Sequence, residues 1–148
     1  MIVERSIERL QFLCDTIPGL LHEIDEQNFS TKPAPGKWSK KEIIGHLIDS
    51  ATNNHHRFVR GQFENIPTVT YEQNNWNESN YYDKIDSSQI ISLWTAYNKH
   101  LLEIMKHIPK DKLTNKVNSF GDDIYTIEYL MDDYVRHLEH HLKQVVDY

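Results

Sequence analysis

The sequence predicts an all-α protein, a four-helix bundle in up-down-down-up order with a long crossover between the second and third helices. Three observations carry that prediction. Four stretches repeat apolar residues every three or four positions, the period of an amphipathic helix. No stretch alternates apolar and polar residues for long enough to make a convincing strand. The link from Glu64 to Asp86 is long enough to let the two helices it joins run parallel, whereas short links force antiparallel neighbours. With 148 residues and no linker, repeat or low-complexity run, the chain fits a single domain, 1–148, that can bury a core.

The first helix is expected from Ile2 to about Glu26, with Ile7, Leu10, Leu13 or Cys14, Ile17 and Leu21 on its inner face. Pro18-Gly19 predicts a kink or break near Ile17, because proline removes a backbone donor and crowds the preceding turn. Asn28 to Lys37, with Pro33, Pro35 and Gly36, reads as a loop. The second helix starts at a capping box, Ser39-Lys40-Lys41-Glu42, with Trp38 and Ile43 at the positions of a hydrophobic staple. It runs to about Phe63, its apolar face carried by Ile43, Leu47, Ala51 and Phe58. Beside that face lies a polar column of Glu42, His46, Ser50, Asn53 and Arg57, with His46 on the border where a pocket wall would stand. Arg57 is about 16 Å along the axis from His46 and is expected to close an ion pair or to bind the anionic tail of a substrate.

Glu64 to Asp86 shows neither helical nor strand period, yet it is too aromatic for a disordered linker. It reads as an ordered crossover in which Trp76, Tyr81 and Tyr82 roof a pocket or anchor the segment. The third helix runs from Ser87 to His107 and is stopped by Pro109. Lys110 to Tyr125 is a second connection, turning at Gly121-Asp122-Asp123. Thr126 or Asp123 caps the fourth helix, which is expected to reach the C-terminus.

The fourth helix holds the chemistry. His137 and His141 are four residues apart and share one face. Taking His137 as zero, Leu130 lies at about 20°, Tyr134 at about 60° and Leu138 at about 100°, so both imidazoles fall in the core-facing sector. His140, at about −60°, does not. Buried imidazoles need partners, since an unpaired polar group in a core costs about 1–3 kcal/mol. A metal ion would satisfy both, and so would bonds to other side chains; spacing alone leaves the two open. Asp49, three residues after His46, and Asp133, one turn before His137, are positioned to accept a ring N–H or to move a proton. Glu42 is already used by the capping box.

Trp38-Ser39-Lys40-Lys41-Glu42-Ile43-Ile44-Gly45-His46-Leu47-Ile48-Asp49-Ser50 resembles a signature of the DinB/YfiT-like superfamily of metalloenzymes. Tyr134-Val135-Arg136-His137-Leu138-Glu139-His140-His141 resembles its second signature, and Asn53 to Phe58 and Tyr71 to Trp76 are family-like as well. The resemblance covers most of the chain. It implies the same helix order and a metal triad of His46, His137 and His141. It also implies a thiol-dependent S-transferase or isomerase using bacillithiol or mycothiol, or one of many relatives with no assigned activity. Three neutral imidazoles suit zinc or nickel and leave a position open for water, thiol or substrate. The expected function is therefore a metal-dependent thiol S-transferase or hydrolase acting on a small molecule. The alternative is a non-catalytic, stress-related bundle whose metal is structural or adventitious.

Charge and composition exclude other classes. A net charge of −6 with scattered Lys and Arg leaves no basic field for nucleic acid. No apolar run predicts a membrane helix and no signal-peptide block opens the chain, so a cytoplasmic protein is expected. The single cysteine, Cys14, excludes an internal disulfide and a Cys-rich zinc site. A homodimer is expected from the family resemblance and from aromatic residues outside the helical core stripes.

Overall fold

The computed structural model describes residues 1–148. Each of the four apolar stripes folds as a long helix. α1 spans Ile2–His22 and buries Leu10, Leu13, Cys14, Ile17 and Leu21. It runs through Pro18, so the expected break near Ile17 does not occur. The proline withholds one N–H, but the apolar stripe on both sides of it stays buried in the same core. The helix instead ends at His22. A separate short helix, α2 (Glu26–Ser30), follows inside the stretch read as helix end and loop. Asp25 caps it, accepting the Asn28 amide at 2.8 Å, and Phe29 anchors it in the core.

α3 spans Lys40–Arg60. Its capping box is complete: the Glu42 amide donates to Ser39 Oγ, and the Ser39 amide donates to Glu42 Oε1, both at 3.1 Å. The helix stops short of Phe63, which is exposed. At Gly61 the chain passes so close to Val117 and Ile127 that a Cβ would lie 2.8 and 2.9 Å from their side chains.

The link from 61 to 86 is ordered and holds structure that its sequence does not announce. Glu72 caps α4 (Gln73–Ser79) by accepting the Asn74 and Asn75 amides. A 3₁₀ turn follows at Tyr82–Lys84. Asn77 ties α4 to the start of α3 by donating to the Glu42 carbonyl at 2.9 Å. α5 spans Ser87–His107 and buries Ile90, Ile91, Trp94, Leu101, Leu102 and Met105.

The second connection corrects the expectation that the chain contains no strand. β1 (Lys116–Phe120) and β2 (Asp123–Thr126) form an antiparallel hairpin about Gly121, whose φ of +55° favours a residue without a side chain. Strands this short cannot display a period of two. Their support is non-local: the Val69 amide donates to the Asn118 carbonyl, the Asn118 amide donates to the Pro67 carbonyl, and Val117 is fully buried. α6 spans Ile127–Leu142, capped by the Thr126 hydroxyl. It ends before the terminus, and the last residues turn back so that Val145 is buried and the Tyr148 hydroxyl donates to Glu139.

α1 packs against α5 and α6, and α3 packs against the same two helices. The four surround one core cluster, to which Tyr82 and Val117 also belong. No helix is long and apolar enough to cross a membrane.

Candidate metal centre

The contact between α3 and α6 brings together three histidines separated by up to 95 residues. His46 comes from α3, and His137 and His141 from successive turns of α6. Ring centroids are 5.2 Å apart for His46–His137, 4.8 Å for His46–His141 and 4.7 Å for His137–His141. Each pair meets edge to face, and one nitrogen of each ring lies within 4.8 Å of the others. The Nε2 atoms of His46 and His137 are 3.3 Å apart. Two nitrogens on one zinc at 2.0–2.1 Å in tetrahedral geometry would be about 3.3–3.4 Å apart, so this pair fits an ion without rearrangement.

Electrostatics agree with the geometry. Burial, reinforced by the neighbouring imidazoles, lowers the His46 pKa to about 3 and that of His137 to about 4. His141 is lowered as well, chiefly by burial, against the effect of its hydrogen bond to Gln144. All three rings are neutral at pH 7, the form that binds metal. His46 is 1% exposed, and its Nδ1 has no hydrogen-bond partner. That nitrogen lies across the ring from the Nε2 that meets His137, so an ion between the Nε2 atoms would not satisfy it.

Two residues outside the sequence-based expectations hold the rings. The Trp38 ring lies against His46 at 4.9 Å between centroids. Gln144 Oε1 accepts the His141 Nδ1–H at 3.2 Å, which turns Nε2 towards the cluster. The Gln144 signal was present in the sequence, since a residue three after a helical ligand stands over the same face.

The other candidates are placed as follows. Asp49 is 1% exposed and three residues from His46, but it bonds to no histidine. Its Oδ1 accepts the Tyr82 hydroxyl at 2.6 Å and Asn80 Nδ2 at 2.9 Å, while Oδ2 has no partner. Burial pushes the Asp49 carboxyl up to about 6, opposed by the Tyr82 bond. The Tyr82 ring occupies the space where a side chain on Gly45 would stand, so this glycine is what admits the crossover next to His46. Asp133 is half exposed and lies 3.5 Å from Arg136, not on His137. Arg57 corrects the expected ion pair. Its guanidinium donates to the Val69 carbonyl at 2.8 and 3.2 Å, to Ser119 O at 3.4 Å and to Asn54 Oδ1 at 3.3 Å, all neutral acceptors. It straps the crossover and the hairpin to α3. Of the three aromatics proposed as a roof, Tyr82 is buried, Trp76 packs edge to face with Tyr71, and Tyr81 is exposed. His140 is exposed, as its angle predicts.

A cavity of about 280 Å³ is lined by Thr31, Trp38, Ile43 and Gln144 among others, and by none of the three histidines. Trp38 and Gln144 are the two residues that touch His46 and His141. Trp38 also borders a second cavity, of about 340 Å³, lined by Lys32, Glu42 and Asn77 among others.

Similarity to known proteins follows the same lines. The chain is 24% identical over 78 residues to a Bacillus mycoides (strain KBAB4) protein named "putative metal-dependent hydrolase", a match covering 52% of this chain and 45% of that one. A Bacillus cereus (strain B4264) protein of the same name is 23% identical over the same shares. The chain thus spans about half the length of these relatives. Among solved structures, YfiT from Bacillus subtilis, described as a probable metal-dependent hydrolase with an unusual four-helix bundle topology, superposes with a TM-score of 0.84 at 19% identity, over 97% of this chain and 83% of that one. A mycothiol-dependent maleylpyruvate isomerase superposes at 0.77 with 12% identity, over 95% and 59%. These likenesses establish the fold. The family model of the DinB superfamily matches residues 9–145, taking in both histidine-bearing helices, and the chain belongs to that superfamily.

Proposed function

We propose that this chain is a metal-dependent enzyme acting on a small molecule, a hydrolase in the first reading and a low-molecular-weight thiol S-transferase in the second. The observation that carries the proposal is the convergence of three neutral imidazoles, held by Trp38 and Gln144, which in turn line a cavity. His46, His137 and His141 would hold a divalent ion, zinc or nickel, with Trp38 and Gln144 keeping the rings in place. Such an ion, once bound, polarises a substrate carbonyl and lowers the pKa of water or of a thiol. The hydrolase reading agrees with the names of the Bacillus relatives. The thiol reading agrees with the fold's likeness to a mycothiol-dependent isomerase.

The chain's own groups supply the proton handling. Asp49, raised to about 6, is ionised yet readily protonated near neutral pH, and its free Oδ2 is the acceptor we assign to it. Asp133, half exposed one turn before His137, is the second proton-transfer candidate. Arg57 has no carboxylate partner, and we assign it the attraction of an anionic group on substrate or thiol. The same proposal takes residues 1–148 as one domain with its helices in up-down-down-up order, working as a homodimer.

The test is metal analysis of protein purified without a histidine tag, followed by assays against ester, amide and thiol-plus-electrophile panels. Bound zinc or nickel is expected in the native protein and is expected to be lost, together with turnover, from the His137→Ala, His141→Ala double variant. Turnover that survives in the double variant would reject the proposal. Metal without turnover on any panel would favour the non-catalytic bundle.

A further inference from the structure

The opposite side of α3 carries a second group of imidazoles. His55 is nine residues beyond His46, about half a turn around the helix and roughly 13 Å further along it. It faces α5 rather than α6. There its ring meets His100 edge to face, at 5.4 Å between centroids and 85° between planes. The pairs of the triad have 4.7–5.2 Å and 75–78°. His56 stands beside them, 6.5 Å from His55. A cavity of about 240 Å³ opens there, lined by His55, His56, Val59 and Arg60.

The His55 ring is fixed in one useful orientation. Its Nδ1 lies 2.9 Å from the Tyr97 hydroxyl. That hydroxyl sits beside Thr52, whose own proton is committed to the Ile48 carbonyl at 3.0 Å. The contact fits a His55 ring that carries its proton on Nδ1 and donates it to the Tyr97 oxygen. In that tautomer Nε2 of His55 keeps a free lone pair, as a metal-ligating histidine requires. Burial and the two neighbouring imidazoles lower the His55 pKa, which keeps this ring neutral at pH 7. The one permanent charge at the cavity, Arg60, is engaged by Glu64 through two bonds of 2.6 and 3.1 Å, which offsets its repulsion of a cation.

We propose that His55 and His100 form a second site for a divalent, imidazole-binding transition metal such as zinc, bridging α3 and α5, with His56 beside it and water completing the coordination. The site is independent of the triad and of the function proposed for it. With two protein ligands it binds more weakly than three, and its exposed position lets metal exchange with solvent.

The test uses the full chain, untagged, dialysed against micromolar free zinc, with zinc per chain read by elemental analysis. Two zinc ions are expected for the native protein. One is expected for His100→Ala, one for His137→Ala, His141→Ala, and none when the three substitutions are combined. A native stoichiometry of one, or a His100→Ala variant that keeps two, overturns the proposal. Should the triad variant fail to fold, the native chain answers the question by itself. With the triad filled by one equivalent of zinc, a second equivalent given as cobalt must broaden the His55 and His100 ring signals in the NMR spectrum. Broadening elsewhere, and not at these two rings, rejects the site.

Discussion

The two histidine groups of α3 use the same side chain in opposite settings. The triad lies between α3 and α6, with His46 almost fully buried, and burial itself holds the rings neutral. The His55–His100 group lies between α3 and α5 with His56 and His100 exposed, and there the Tyr97 hydroxyl holds the His55 ring. Burial removes protons from imidazoles and excludes competing water, while exposure gives access at the cost of both. A helix bundle can therefore hold a tight site and an exchangeable one on two faces of one helix.

The largest expected effect on that contrast comes from Gln144→Leu. Removing the acceptor of His141 Nδ1–H should weaken zinc at the triad by about 10–100-fold while leaving zinc at His55–His100 unchanged. Competition titration with a zinc chelator measures this, in the native chain and in a His100→Ala background. An equal loss at both sites would mean that the substitution acts through the fold and not through one ring.

The second effect is on pH. Free imidazoles, with pKa values of about 6.5, would make a three-histidine site lose up to about a thousandfold in affinity per pH unit below that value. The triad should behave otherwise, because His46 and His137 do not take up protons until about 3 and 4. Above about pH 4 only His141 competes, so the loss is expected to be no more than about tenfold per unit. Zinc affinity of the His100→Ala variant at pH 7, 6 and 5 tests this, and a loss of a hundredfold or more per unit would contradict the burial of the rings.

Without metal, the same shifts set the stability of the fold. The unfolded chain binds protons at these histidines from about pH 6.5 downwards, and the folded chain does not until about 4 and 3. Stability is thus lost as pH falls from about 6.5 towards these values. Asp49 runs the other way: its folded pKa of about 6 lies above its unfolded value, so its contribution is present at low pH and is lost as pH rises through 6. Two imidazoles against one carboxyl give a net fall in melting temperature from pH 6.5 to 4.5, which thermal scans of metal-free protein would show.

The smallest effect on the contrast is expected from Ser39→Ala. It removes the cap of the helix that carries both His46 and His55, at a cost of about 0.5–2 kcal/mol in stability. It should change neither zinc stoichiometry, because the helix is held by its core face and not by its first turn alone. Loss of zinc from either site would show that the start of α3 positions the ligands directly.

Much of this was legible in the residues, and the parts that were share a physical cause. The four long helices, the capping box at Ser39 and the inward turn of His137 and His141 follow from patterns confined to a few turns of chain. The outward position of His140 comes from the same angular argument. What the tertiary structure decided lies where the deciding contact is distant in sequence. His46 reaches His137 only because α3 packs on α6, and Asp49 is buried because Tyr82 and Asn80 return to it across the crossover. Gly45 admits that return, yet in the sequence it reads only as a weak spot in a helix. Arg57 finds carbonyls of the crossover and hairpin instead of an acid, and the hairpin stands because Pro67 and Val69 pair with its first strand. Side-chain periodicity records which face of an element is buried; it carries no information on which distant groups meet there.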